Sequence, residues 1–315
     1  MSNYKKVLTF GGGVGGGKFL SGLYEFRKDL NINVYVNTSD DIDIYGVRVS
    51  PDIDSVLYWI SGLVDPSRGW GIKDDTFNMI KNFDSSWFNL GDKDFEFNLE
   101  KKKYLDNNLE LDETIKIKTT KLNIDHISIF PMTNDKVETY INSDLGDMHI
   151  QEYLIKYRMS PQIRGIEFRN IMNSKPIEGL IDNILNADLI IFCPSNPIIS
   201  VEPILTMDGI RGAIESSKAK KIAISPIIGN FAFQGPIMKL LKFKGLEASP
   251  VGIGQYYKNI IDYIVLDKSD KDLLDKINDL NIHCIFENIK MDHKTVSIGL
   301  AEKILEVMDF RYEKN

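Results

Sequence analysis

Short apolar runs recur along the chain, each closed by glycine, proline or a polar cluster. They are VLTF at 7–10, INVYVN at 32–37, ADLIIFCP at 187–194 and KKIAISP at 220–226. Their apolar residues are continuous and largely β-branched, the pattern of strands covered on both faces in a parallel sheet. Stretches with helical spacing follow them. KFLSGLYEFRKDL at 18–30 puts Phe19, Leu20, Leu23 and Phe26 on one side, and DIDSVLYWISGLVD at 52–65 does so with Val56, Leu57, Ile60, Leu63 and Val64. PIMKLLKFKG at 236–245 comes after the fourth run. Strand, turn, helix and strand in succession predict a doubly wound α/β fold.

The middle of the chain differs. From about 95 to 170 it is rich in Lys, Asp and Asn, with short alternating pieces: IKIKTTK at 115–121, HISIFPM at 126–132 and KVETYINS at 136–143. This range is expected to be an insertion or small mixed subdomain covering the site, within one α/β domain spanning 1–315. The tail, 267–313, adds two amphipathic stretches around a short strand, IHCIF at 282–286.

Composition narrows the function classes. The 315 residues are 43% hydrophobic and 26% charged, enough to bury a sizeable core. A net charge of −7 argues against a nucleic-acid coat or an anionic-membrane binder, so positive charge for an anionic substrate must be gathered locally. Cys193 and Cys284 form neither a disulfide framework nor a zinc pattern, and His126, His149, His283 and His293 never fall as a close pair. The start MSNYKKV carries no long apolar segment, and no run approaches the roughly 18 residues of a membrane span. A reduced cytoplasmic setting is expected.

The densest local signal is GGGVGGGKF, where six glycines fall between Gly11 and Gly17. Gly11, Gly13 and Gly16 fit G-x-G-x-x-G between a strand and a helix, the dinucleotide turn. The acid expected at the end of the second strand is missing, because that strand runs out as Val36-Asn37-Thr38-Ser39. Gly12 to Lys18 also fit an ATP-type phosphate loop, yet Phe19 stands where a magnesium-binding hydroxyl belongs. A phosphate cradle and a plain tight turn both remain open. Beyond it, Asp40, Asp41, Asp43, Asp52 and Asp54 crowd the end of the second strand, where open α/β sheets bind ligands. Ser50-Pro51 reads as a helix start, which makes Asp52 and Asp54 caps as well as candidate ligand groups.

The run VNTSDDIDIYGVRVSPDIDSVLYWISGLVD (36–65) resembles the 2-phospho-L-lactate transferase family of coenzyme F-420 biosynthesis. So, in order, do GWGIKDDTF (69–77), FNLGDKD (88–94), PMTNDKVETYI (131–141), MHIQEYLIKYR (148–158), CPSNPIISVEPIL (193–205) and AISPIIGNFAFQGPIMKLL (223–241). The resemblance implies a Rossmann-like three-layer α/β/α fold, often dimeric, and Mg²⁺ dependence. It implies transfer of a phosphorylated three-carbon acid from a GDP-linked donor to the ribityl hydroxyl of the deazaflavin FO, with release of GMP.

On this pattern Asp54 is expected to meet FO and take part in catalysis, with Lys93 as the basic residue contacting FO, and Asp52 with Asp54 as metal ligands. Gly11, Gly12, Gly13, Gly15 and Lys18 are expected to hold donor phosphates. Ser195 and Asn196, after one strand, and Ser225 and Gly229, after the next, are nucleotide-pocket candidates or rigid turns. His149 reads as a structural residue. Trp70 and Trp87 suit either stacking on a flat deazaflavin or the core. Val14, Lys93 and Cys193 depart from the family's usual threonine, arginine and glycine. Two other readings stand beside this one: a related regulator that binds nucleotide-sugars or dinucleotides, and an NAD-dependent oxidoreductase. The sequence leaves open whether the donor carries lactate, enolpyruvate or glycerate.

Overall fold

The computed structural model describes residues 5–27, 29–83, 86–229, 231–232 and 236–310. Residues 28, 230, 233–235 and 311–313, which belong to segments named above, lie outside the described residues. Seven strands form one parallel sheet: β1 (Lys6–Phe10), β2 (Asn31–Val36), β3 (Ile127–Pro131), β4 (Leu189–Phe192), β5 (Lys220–Ile224), β6 (Tyr263–Asp267) and β7 (His283–Glu287). Their spatial order is β7-β6-β5-β4-β1-β2-β3. Every pairing among them is parallel. The order reverses between β1 and β4, which makes a topological switch point with a crevice outside the strands' carboxyl ends.

Alternate residues of a strand feed opposite cores, as a period of two requires. On β1, Leu8 and Phe10 join one apolar cluster and Val7 the other; on β4, Ile190 and Phe192 part in the same way from Leu189 and Ile191. One face is covered by helices α1 (Gly13–Phe26), α2 (Pro51–Ser61) and α4 (Leu111–Lys121), with the C-terminal helix Lys294–Val307, through Phe19, Leu20, Leu23, Val56, Leu57, Ile115 and Leu300. The other face holds helical residues such as Leu180, Ile184, Ile214, Leu240 and Ile253. These are three layers, α/β/α, around a parallel sheet, as expected. Helix α3 (Asp92–Asp106) precedes α4.

The middle of the chain serves two structures. Ile127–Pro131, inside the range expected as an insertion, is the edge strand β3 of the main sheet, paired along β2 from Ile32–Ile127 to Val36–Pro131. Strands Glu138–Ser143, Gly146–His149 and Ile163–Arg169 form a separate antiparallel sheet. IKIKTTK is not a strand. It is the second half of α4, opened by a capping box between Glu110 and Glu113. Its alternation comes from lysines on a helix that buries Leu111, Thr114, Ile115 and Lys118 at i, i+3, i+4, i+7. The first helix also starts earlier than its apolar spacing suggests, at Gly13 rather than Lys18, so most of the glycine stretch is helical.

Candidate active site

A cavity of about 720 Å³ opens at the switch point. The amino-terminal ends of α1, α2 and α3 converge on it, and the turn after β4 and the segment 289–292 after β7 complete its wall. Of the residues singled out from sequence, Gly12, Gly13, Gly15, Lys18, Asp52, Asp54, Ser195 and Asn196 line it, as do Val14, Asp40 and Trp70.

The glycine stretch makes the first turn of α1. No side chain caps this turn and no acid lies within it, so its backbone N–H groups and the helix dipole favour an anion. Gly12, the residue before the helix, is bound to Ser195 in both directions. Its N–H donates to Ser195 Oγ at 3.0 Å, and that hydroxyl donates to the Gly12 carbonyl at 2.8 Å. A Cβ on Gly15 would stand 2.1 Å from the Pro194 carbonyl oxygen, so only glycine allows α1 this close to the turn after β4. Lys18 lies 5.4 Å from the Trp59 ring and adds a cation to this wall. Val14 faces the same cavity. Gly11 is the hinge out of β1, its N–H donating to the Tyr35 carbonyl at 3.2 Å.

The carboxylates divide into two groups. Asn37 Nδ2 donates to Asp52 Oδ2 at 3.1 Å, and Asp52 faces Asp40, which also lines the cavity. Burial, aided by the neighbouring Asp52 charge, pushes Asp40 well above the usual carboxylate range. Burial pushes Asp52 up to about 6. Asp40 Oδ1 is buried with no hydrogen-bond partner. Asp54 belongs to a second group. Its Oδ2 accepts the Ser50 N–H at 3.2 Å and lies 3.4 Å from Lys101 Nζ, while its Oδ1 is buried and unpartnered. Asp52 and Asp54 are thus two residues apart in sequence but held by different neighbours. Among the described residues no set of three or more His, Cys, Asp or Glu is grouped to hold a metal.

Helix α3 supplies residues that sequence spacing did not single out. Its buried residues are Asp94, Asn98 and Lys101, all polar. Asp94 lines the cavity and accepts from Tyr58 OH at 2.7 Å and from Asn98 Nδ2 at 3.1 Å. Burial, with the Asp54 charge, pushes Asp94 up to about 7. The helix is fixed from the loop before it, because Asp75 accepts the N–H groups of Lys93 at 2.8 Å and Asp94 at 3.1 Å. Asp92 holds Thr76 and the Met79 N–H in return, so the 69–77 and 88–94 motifs interlock. The signal available in sequence was the spacing of Asp94, Asn98 and Lys101 at i, i+4 and i+7, a helix face of wholly polar residues.

Other candidates lie elsewhere or act differently. The Lys93 side chain is exposed, outside the cavity lining, and donates to the Lys73 carbonyl at 3.1 Å. Asn196 caps the turn Pro197–Val201, its Oδ1 accepting from Ile198 N at 3.1 Å, which leaves only its amide N–H groups for a ligand. Ser225 closes its own turn, donating to the Ile227 carbonyl at 2.8 Å, and the Gly229 N–H donates to Asp270 at 2.9 Å; neither lines the cavity. His149 is buried, accepts the Gln151 N–H at 3.2 Å, and is pushed below the usual histidine range by burial. Gln151, not singled out from sequence, lines the cavity and donates to the Asp40 carbonyl at 3.3 Å. Trp70 is a wall residue with Tyr58 and Phe88; Trp87 packs edge-on against Phe88 instead. Among the described residues no helix is long and apolar enough to cross a membrane.

Known proteins resemble this chain over nearly its whole length. The chain is 33% identical to the 2-phospho-L-lactate transferase of Methanocaldococcus jannaschii, over 95% of this chain and 97% of that one. It is 32% identical to the 2-phospho-L-lactate transferase of Methanosarcina mazei, over 95% and 99%. It is 29% identical to the phosphoenolpyruvate transferase of Streptomyces griseus, over 96% and 98%. In fold it is similar to a solved member of the UPF0052 family from Bacillus halodurans, with a TM-score of 0.67 at 18% identity, covering 97% of this chain and 100% of that chain. The profile described as 2-phospho-L-lactate transferase CofD matches residues 7–303, almost the whole span that builds the sheet and the cavity, and the chain belongs to that family.

Proposed function

We propose that this protein transfers a phosphorylated three-carbon acid from a GDP-linked donor to the terminal ribityl hydroxyl of FO, releasing GMP and forming the F-420 precursor. The observation that carries this reading is the meeting, in one cavity, of an uncapped helix N-terminus with a buried carboxylate whose Oδ1 has no partner. The first binds phosphate; the second accepts a hydroxyl proton. In the transfer, the ribityl oxygen bonds to the phosphorus that bears the acid, and its proton passes to Asp54 Oδ1. The anhydride P–O bond breaks, and GMP leaves with that electron pair. Such a reaction is governed by orientation and by neutralising charge on the phosphates.

The first turn of α1 and Lys18 take the diphosphate. Trp70, Tyr58 and Phe88 give flat apolar walls suited to a deazaflavin ring. Lys93 reaches an acceptor only by leaving the Lys73 carbonyl. The residues present fit a divalent cation at Asp40 and Asp52 better than at Asp52 and Asp54. Two buried carboxyls there crowd each other, and Asp40 Oδ1 lacks a partner. Hard oxygen ligands beside phosphates suit Mg²⁺, which when bound supplies charge neutralisation to the diphosphate.

The test separates binding from chemistry. FO fluorescence titrations are expected to give the same Kd, within about threefold, for the wild type and Asp54→Asn, while turnover at saturating FO falls by about 100-fold or more. Normal turnover in Asp54→Asn would remove Asp54 from the reaction.

A further inference from the structure

Helix α3 has an unusual use. It runs 15 residues, and the side chains it buries are an acid, an amide and an amine. Burying polar groups costs free energy unless they are paired, so this face is built for something other than core packing. Lys101 is its deepest charged member, 2% exposed. The Lys101 ammonium donates to Ser50 Oγ at 3.0 Å and lies 3.4 Å from Asp54 Oδ2. Ser50 in turn donates to Asp41 Oδ2 at 2.8 Å, an atom that also accepts from Arg48 Nε at 2.8 Å. Ser50 is the residue on which α2 begins, and its own N–H donates to Asp54 Oδ2. Both donors to Asp54 therefore meet one oxygen and leave the other bare. Asp54 lines the cavity; Lys101 does not.

We propose that Lys101 is a positioning residue for the transfer: with Ser50 it holds Asp54 by Oδ2, so that the free Oδ1 faces the acceptor hydroxyl. This rests on the reading of Asp54 as the group that takes the hydroxyl proton. Lys101 touches no substrate. It acts only through Asp54, as the third member of a base-and-orienter arrangement. A lysine serves here because an ammonium is a compact charge with several donors, enough for a hydroxyl and a carboxylate at once.

That dependence gives a test that a merely structural lysine fails. Transfer is measured for the wild type, Lys101→Met, Asp54→Asn and the double variant, with cooperative thermal melts for each. Lys101→Met is expected to lower kcat about 10- to 100-fold, with KM for FO and for the donor within about threefold. In the Asp54→Asn background the same change is expected to cost less than about twofold. If the two losses multiply, Lys101 does not act through Asp54 and the proposal is overturned. If Lys101→Met gives no cooperative melt, the cycle is run with Ser50→Ala, which removes one anchor of the ammonium. A fall in kcat of about 3- to 10-fold that vanishes beside Asp54→Asn supports the proposal, and a multiplied loss overturns it. A wild-type chain that forms no product overturns the transferase reading itself, before any variant is compared.

Discussion

Ser195 and Gly12 hold each other by two hydrogen bonds, Gly12 N–H to Oγ at 3.0 Å and Oγ to the Gly12 carbonyl at 2.8 Å. The clasp joins the turns after β1 and β4, the two strands between which the sheet reverses order. The Ser195 hydroxyl thus shapes the cavity wall at Gly12. Ser195→Ala leaves both backbone groups of Gly12 without this partner in a buried place. It is expected to cost about 1–3 kcal/mol in chemical denaturation and to weaken GDP binding in calorimetry, with FO affinity unchanged.

Gly15 and Gly299 both lie inside helices, yet alanine should act oppositely at the two. An exposed helical glycine replaced by alanine gains roughly 0.5–1 kcal/mol. Gly299, in the C-terminal helix, has nothing within 4 Å of a built Cβ, and Gly299→Ala is expected to raise the melting temperature. At Gly15 the new Cβ would meet the Pro194 carbonyl oxygen at 2.1 Å. Gly15→Ala is expected to destabilise by about 2 kcal/mol or more and to abolish GDP binding.

Asp94 sets a pH dependence of stability. Burial, with the Asp54 and Asp75 charges and against the pull of Tyr58 and Lys101, pushes its carboxyl from the ordinary aspartate range of about 4 up to about 7 in the folded chain. Between about pH 4 and 7 the folded state therefore holds a proton that the unfolded state has lost. The contribution of Asp94 to stability falls as pH rises through that window and levels off above it. Asp94→Asn, which still accepts from Tyr58, is expected to flatten this slope and gain on the order of 2 kcal/mol at pH 7.5. Denaturation curves from pH 4.5 to 8 check it. A slope unchanged in the variant would mean that other groups set it.

Asn196 separates capping from recognition. Asn196→Asp keeps the cap on Ile198 N, whereas Asn196→Ala loses it at a cost of about 1 kcal/mol. Equal stability with weaker GDP binding in the aspartate variant would assign the amide N–H groups to the nucleotide. Unchanged GDP binding would leave Asn196 as a cap alone.

Much of this was legible in sequence, for stated reasons. Continuous apolar runs mark strands buried on both faces, so β1, β2, β4 and β5 stood out, and Pro51 with its flanking Ser50 and Asp52 marked the start of α2. DYIVLD at 262–267 has the same run and is the strand β6, but it lies in a stretch where no helix pattern framed it. The start of α1 was hidden because glycine has the weakest helix propensity of the non-proline residues. Here tertiary contact at Pro194 overrides propensity. Asp54 was visible as a carboxylate after a strand. Lys101 was not, because one lysine in EKKK looks solvated, and only the packed α3 reveals which of the three is buried. Asp40 and Asp52 lie 12 positions apart with a hairpin between them, so their pairing is a product of the fold.

Purified protein is incubated with FO, Mg²⁺ and, in separate reactions, the GDP-linked lactyl, enolpyruvyl and glyceryl donors, and products are read by mass spectrometry. The account predicts one phosphodiester of FO with its three-carbon acid and one GMP, in equal amounts, from at least one donor. Donor consumed without an FO adduct, or no reaction with any of the three, would contradict it.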